Sequence, residues 1–185
     1  MTRALVLILL LAACREDAGP PPPVALTASS VGYFCQMNLL EHGGPKAQVH
    51  LDAYPGKPLF FSQVRDALSY LKMPEQDAIV TATYLNDVGA AASWDQMGAT
   101  NWISLDKAVF VLGSDMMGGM GQPEIVPFAD PARARAFAAR HGGQVMTLDE
   151  IPSSALLPPE AAGSDSTGDA DYSTRLRAVT DQTGG

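Results

Sequence analysis

In the stretch VGYFCQMNLL, a thiol at Cys35 and a thioether at Met37 stand two residues apart, and far downstream SDMMGGMG adds Met116, Met117 and Met120. Thiolate and thioether donors are soft, and a set of them suits Cu(I) much better than hard, oxygen-seeking cations. Glycines at 113, 118, 119 and 121 let the second stretch bend around an ion and make it a poor core element. Methionine is also a common filler of irregular core gaps, and that is the role assigned to Met73, Met97 and Met146. Cys35 and Met120 are read as ligands because their surroundings are polar and glycine-rich. His42, in LLEHGGP, follows Cys35 by seven residues on a glycine-flanked loop and could add an imidazole. His50 falls within a strand and His141 near a helix end, so both are read as structural. A four-ligand zinc site needs more cysteine or histidine than the chain groups together. No nucleophile elbow, P-loop, dinucleotide fingerprint or HExxH appears, and the Asp149-Glu150 pair is read as a solvated helix cap.

The start of the chain says where such a site would operate. Residues 1–13 carry a charge at Arg3, an apolar run from Leu5 to Leu11 and small residues before Cys14, the layout of a secretory signal peptide. The run is shorter than the roughly 20 apolar residues of a spanning helix. LAAC, ending at Cys14, resembles a bacterial lipobox, which predicts cleavage before Cys14 and a diacylated thiol there. That places the protein on the periplasmic side of a bacterial membrane, held by lipid on Cys14, with inner and outer membrane left open. With Cys14 alkylated, Cys35 has no disulfide partner, and a lone thiol in an oxidising compartment calls for a function. A formal net charge of −8 disfavours nucleic acid and anionic lipid surfaces as partners.

The elements that must position these donors read as a pattern made twice. Residues 14–30, with four prolines at Pro20 to Pro23, predict an extended, lipidated tether, so the globular part is expected from Val31. The first half, 31–97, predicts strands at Ala47–Leu51 and Pro58–Phe61, a helix from Gln63 to Lys72 capped by Ser62, and a strand at Ile79–Leu85. The second half, 98–157, predicts strands at Trp102–Leu105, Ala108–Leu112 and Glu124–Phe128. A helix entered at Asp130-Pro131 then stops at Gly142-Gly143, before a strand at Gln144–Thr147. The fold class is therefore α+β, two small ββαβ units forming a two-lobed globular domain. The composition of 158–185 predicts a disordered tail with one short helix near Tyr172 to Val179.

Four segments together resemble the NosL family of copper-binding lipoproteins: the lipobox, YFCQMNLLEHGG (Tyr33 to Gly44), NWI (Asn101 to Ile103) and VLGSDMMGGMGQPEIVPFAD (Val111 to Asp130). The resemblance runs from about Val31 to Ile151. Cys35 and Met37 match its C-x-M motif, Glu41-His42 its acidic-histidine pair, and Met120 the methionine that usually follows Gly-Pro. Here that proline is replaced by Gly119, and Met116 and Met117 are additional thioethers, so the third sulfur ligand stays open between Met37 and this cluster. The resemblance implies two ββαβ units of treble-clef type, related to an organomercurial lyase accessory fold. It implies a metallochaperone, without catalytic turnover, carrying Cu(I) to the copper centres of nitrous oxide reductase. A membrane ABC-type assembly complex is the implied docking partner. The candidate site is then Cys35, Met120, Met37, His42 and Met117, with Cys14 lipidated.

Another class fits the thiol alone: a periplasmic enzyme or redox protein in which His42 activates Cys35. It has no use for methionines at Met37 and Met120. A plain structural lipoprotein leaves the lone thiol unexplained.

Overall fold

The computed structural model describes residues 19–76 and 78–156; the signal peptide, Cys14 and the predicted tail lie outside these. Strand β1 (Ala47–Leu51) is buried along its whole length. Its alternation explains why: Ala47, Val49 and Leu51 join a core with Ala67 and Leu68 of helix α1 (Val64–Lys72), while Gln48 and His50 point to the opposite face. β1 pairs antiparallel with β2 (Leu59–Phe61) and β3 (Val80–Asn86), and β4 (Trp102–Ser104) adds to β3, giving the order β2-β1-β3-β4. The second sheet is β5 (Val109–Leu112), β6 (Val126–Phe128) and β7 (Gln144–Met146), in the order β6-β5-β7. Helix α2 (Pro131–His141) packs Ala134 and Phe137 on Val111, Val126 and Phe128.

Each unit thus runs strand, strand, helix, strand with the first strand central, which is the expected ββαβ pair. β4, read from the sequence as the opening strand of the second pass, belongs by its hydrogen bonds to the first sheet. The units are not independent: Phe110 and Ile125 from the second are fully buried in the core of the first. Polar links reinforce the joint. The Asp87 carboxylate accepts the N–H groups of Gly89 at 2.8 Å and Ala129 at 3.1 Å, and Val88 N donates to Pro127 O at 3.0 Å.

Three local expectations need correction. The N-cap of α1 is Gln63 rather than Ser62, and neither side chain caps the helix. Met73 is 43% exposed at the end of that helix and fills no core gap, whereas Met97 is buried. The proline-rich segment is extended but not free. The Tyr84 hydroxyl donates to Pro21 O at 2.7 Å, and Leu26 is buried, with its N–H on Ala99 O at 2.9 Å. The Gln48 amide holds Val24 from both sides, accepting its N–H at 2.8 Å and donating to its carbonyl at 3.0 Å. This strap covers the face of the sheet opposite α1, which is why β1 is buried on both sides. His50 is part of the same arrangement, bonded through Nε2 to Gln48 Oε1 at 2.8 Å and set edge-on to Tyr84, and burial lowers its pKa. Among the described residues no helix is long and apolar enough to cross a membrane.

Gln48→Leu removes both halves of the Val24 clamp and should lower unfolding stability by about 1–3 kcal/mol, the scale of two lost hydrogen bonds. The Val24 amide should then exchange with solvent much faster than in the parent. Equal protection of that amide in the two proteins would show that the strap is held by something else.

Candidate metal site

Cys35 lies at the tip of a tight turn. Val31 and Asn38 form a β-bridge, Gly32 N donates to Met37 O at 3.0 Å, and Gln36 N donates to Gly32 O at 2.8 Å, with Gln36 at φ 55°. A Cβ on Gly32 would collide with Cys35 Sγ, so the thiol folds back over a backbone that only glycine leaves open. The turn is fixed to β2, where Gly32 bridges Phe60 and Tyr33 N donates to Phe60 O at 2.6 Å. The rings of Tyr33 and Phe34 pack edge-on against Phe61, with centroids 5.9 and 5.3 Å away. Cys35 remains partly accessible and Met37 is 40% exposed.

His42 follows through Leu39–Glu41, a short 3-10 turn whose fully buried Leu39 and Asn38 cap fix its course. His42 Nε2 is buried without a hydrogen-bond partner. Glu41 is exposed.

The methionine-rich loop returns on itself: Met117 bridges Pro123, Glu124 N donates to Met116 O at 3.0 Å, and Gly118 N donates to Gln122 O at 2.8 Å. Met116 turns into the core of the second unit, whereas Met117 and Met120 are 48% and 40% exposed. The tip presses on the first unit. A Cβ on Gly119 would lie 2.8 Å from His42 Cβ, 3.2 Å from Gly43 O and 3.3 Å from Ser62 O. A Cβ on Gly32 would lie 3.8 Å from Ser62 N. The segments carrying Cys35, His42 and Met120 therefore meet at Ser62, although 85 residues separate Cys35 from Met120. His50 and His141 are elsewhere: His141 stacks on Phe137 and bonds Asp115 through Nδ1 at 3.0 Å.

Four residues at this seam escaped the sequence reading. The Trp94 indole packs on Gly44 and donates to Met117 O at 3.1 Å. Gln63 Oε1 accepts the Met120 N–H at 3.2 Å. Glu124 is 1% exposed; its Oε1 accepts Ile125 N at 2.8 Å and Arg65 N at 3.3 Å, so it caps α1 from another part of the chain, and its Oε2 has no partner. Burial pushes its carboxyl up to about 8, against the pull of those two N–H groups. Lys46 is buried too and donates to the carbonyls of Gly43 and Gly44 at 2.9 and 2.6 Å. Desolvation brings its ammonium down to about 8, opposed by the negative charges of Glu124, Cys35 and Asp95. The one available signal was a charged residue set into an apolar run, as in PEIVPF and PKAQVHL.

Among the described residues no three His, Cys, Asp or Glu side chains cluster as a metal-holding group. A soft monovalent ion fits what the seam offers: one thiol, exposed thioethers and an unpartnered imidazole nitrogen.

Together these features define a class: a pair of interlocked ββαβ units that bring sulfur donors from distant segments to an exposed seam. Comparisons with known proteins narrow it. A family model described as NosL matches residues 23–156. The copper-binding lipoprotein NosL of Achromobacter cycloclastes is 51% identical over 179 residues, covering 95% of this chain and 92% of that protein. The protein of the same name from Stutzerimonas stutzeri is 28% identical over 134 residues, covering 72% and 68%. The crystal structure of the copper chaperone NosL from Shewanella denitrificans superposes with a TM-score of 0.66 at 30% identity, covering 71% of this chain and 96% of that one. The chain belongs to the NosL family.

Glu124 holds its proton more tightly in the folded chain than at its ordinary value of 4.5, so stability should fall as pH rises between about 4.5 and about 8. Glu124→Gln keeps an acceptor for Ile125 and Arg65 but cannot ionise. Urea unfolding of the metal-free protein from pH 5 to 7.5 should show the variant gaining on the parent as pH rises. Curves that stay parallel would mean that Glu124 is not held protonated by the fold.

Proposed function

We propose that this protein is a Cu(I) metallochaperone that supplies copper to a copper-requiring acceptor, with Cys35 as the anionic ligand and Met120 as a thioether ligand. The observation that carries this reading is the approach to Ser62, from two distant segments, of Gly32 in the turn that carries Cys35 and of Gly119 in the methionine-rich tip of the other unit. Both named relatives are copper-binding lipoproteins and the solved relative is a copper chaperone, which supports the same assignment.

Copper here is cargo, and the geometry suits a cargo. The thiolate supplies charge, so Cu(I) enters with loss of the Cys35 proton and the site becomes neutral overall. Met120 supplies a neutral donor of matching softness, and Met37, two residues from the thiol in sequence, is the next candidate, followed by Met117. Met116 is occupied in the second core and is the poorest of the four. Because Met37, Met117 and Met120 all stay substantially exposed, an acceptor's own sulfur or imidazole can approach the ion before the chaperone's ligands let go. His42 stands at the seam with a free Nε2 and is a further potential ligand.

The acceptor in this reading is nitrous oxide reductase, with docking to a membrane ABC-type assembly complex, and the protein is held to the membrane by lipid on Cys14. Replacing Cys14 by Ser should leave copper binding intact.

In chelator competition under anaerobic conditions, Cys35→Ser should abolish tight Cu(I) binding, and Met120→Leu should weaken it with little change of fold, because the two side chains are similar in volume. Cu(I) should outcompete Zn(II), and binding should weaken as the pH falls, through protonation of the thiol. Cu(I) binding that survives alkylation of Cys35, or equal preference for the two metals, would overturn the assignment.

A further inference from the structure

We infer that Gln63 is the positioning residue of the copper site: its side-chain amide oxygen receives the main-chain N–H of Met120 and so sets where the thioether stands. The inference rests on the reading of Met120 as a ligand.

Gln63 occupies the N-cap position of α1 with an extended backbone, yet its side chain does not cap the helix. It is 3% exposed and turned toward the other unit, with Oε1 accepting Met120 N at 3.2 Å and Nε2 donating to Asp66 Oδ2 at 3.3 Å. The Met120 main-chain N–H at one end of the amide fixes which way it faces, because it donates and cannot accept. Oxygen therefore faces the loop. Gly118 closes over the same atom: a Cβ there would lie 2.5 Å from Gln63 Oε1 and 2.5 Å from Glu124 Oε2. The loop rests on two buried oxygens, and only a glycine admits that approach.

The capping that Gln63 leaves undone falls to Glu124, through the Arg65 N–H. The Arg65 guanidinium in turn donates to Pro123 O at 2.6 Å, so the first turn of α1 grips the loop on both sides of its tip. Met120 is thereby held by its main chain while its side chain stays 40% exposed. Gly119 and Gly121 flank it and impose little restriction of their own. A ligand on such a segment needs an external hold, and groups that orient a ligand without touching the metal are worth about 10–100-fold in affinity.

The test uses the chain carrying Cys14→Ser, with Cu(I) affinity measured by chelator competition and the number of copper–sulfur contacts by X-ray absorption. Gln63→Leu should weaken Cu(I) binding about 10–100-fold and lower the sulfur count by one, while the alkylation rate of Cys35 in the metal-free protein stays unchanged. Met120→Leu added to Gln63→Leu should cost nothing more. Gln63→Glu combined with Asp66→Asn, which keeps the acceptor oxygen toward Met120 and supplies an amide donor toward the new carboxyl, should restore the sulfur count. Gly118→Ala displaces the same loop with the sequence of α1 unchanged and should reproduce the loss, which covers the case in which Gln63→Leu fails to fold. A parental sulfur count in Gln63→Leu or in Gly118→Ala, or losses that add in full with Met120→Leu, would overturn the positioning role. If Met120→Leu alone binds copper as the parent does, the ligand assignment itself falls.

Discussion

The short junction between β2 and α1, residues 60–65, holds both segments that carry the proposed copper ligands. Phe60 receives the Cys35 turn through its carbonyl, Ser62 is flanked by the Gly32 and Gly119 backbones, and Gln63 and Arg65 hold the methionine loop. Two flexible, glycine-rich segments thus acquire fixed positions by leaning on a piece of chain that is itself fixed at both ends. One end is a strand paired with β1, and the other is a helix whose Val64, Ala67 and Leu68 are sunk in the core. A rigid ligand set made of soft, long side chains is difficult to build from methionines alone. Here rigidity is placed in the main chain beneath them, and the side chains stay exposed for exchange.

The same junction explains why charged groups tolerate burial. Glu124 ends the methionine loop, and its carboxyl oxygen serves the start of α1, so the two units share a helix cap. Lys46, at the start of β1, uses its ammonium to close the Gly43-Gly44 corner from which His42 projects. Each group loses solvation that its partners only partly offset, which accounts for the opposite displacements of their two titrations toward one value. These are expensive contacts by comparison with apolar packing, but they are directional. Apolar surfaces can slide, and a carboxyl oxygen bonded to two N–H groups cannot.

Most of the fold was legible because its signals are local. Alternation wrote β1, Asp130-Pro131 wrote the start of α2, and Gly142, at φ 73°, wrote its end. The proposed donors Cys35 and Met120 stood out by residue type, and the resemblance to the family tied them together. The remainder depends on contacts between distant residues. Nothing near Gln63 says that it turns its amide toward residue 120 instead of capping its own helix. Trp102–Ser104 carries strand propensity but no mark of which sheet it joins. The proline-rich segment reads as a free linker because its partners, Gln48 and Tyr84, are polar residues that lie 24 and 63 positions further along.

The strap has a geometric corollary. Between Cys14 and Pro20 lie only five residues, and six virtual bonds of chain span at most about 20 Å when fully drawn out. From Pro20, which meets the body beside Tyr84 and Ser104, the segment is bonded to the sheet as it runs toward the Cys35 turn. If the chain is fastened at residue 14, as proposed, its leash is short and starts at the end of the strap opposite the Cys35 turn. The radius within which such a molecule could find an acceptor is set by this packed segment and by the few residues before it. The length of the proline-rich stretch by itself would suggest a far longer reach.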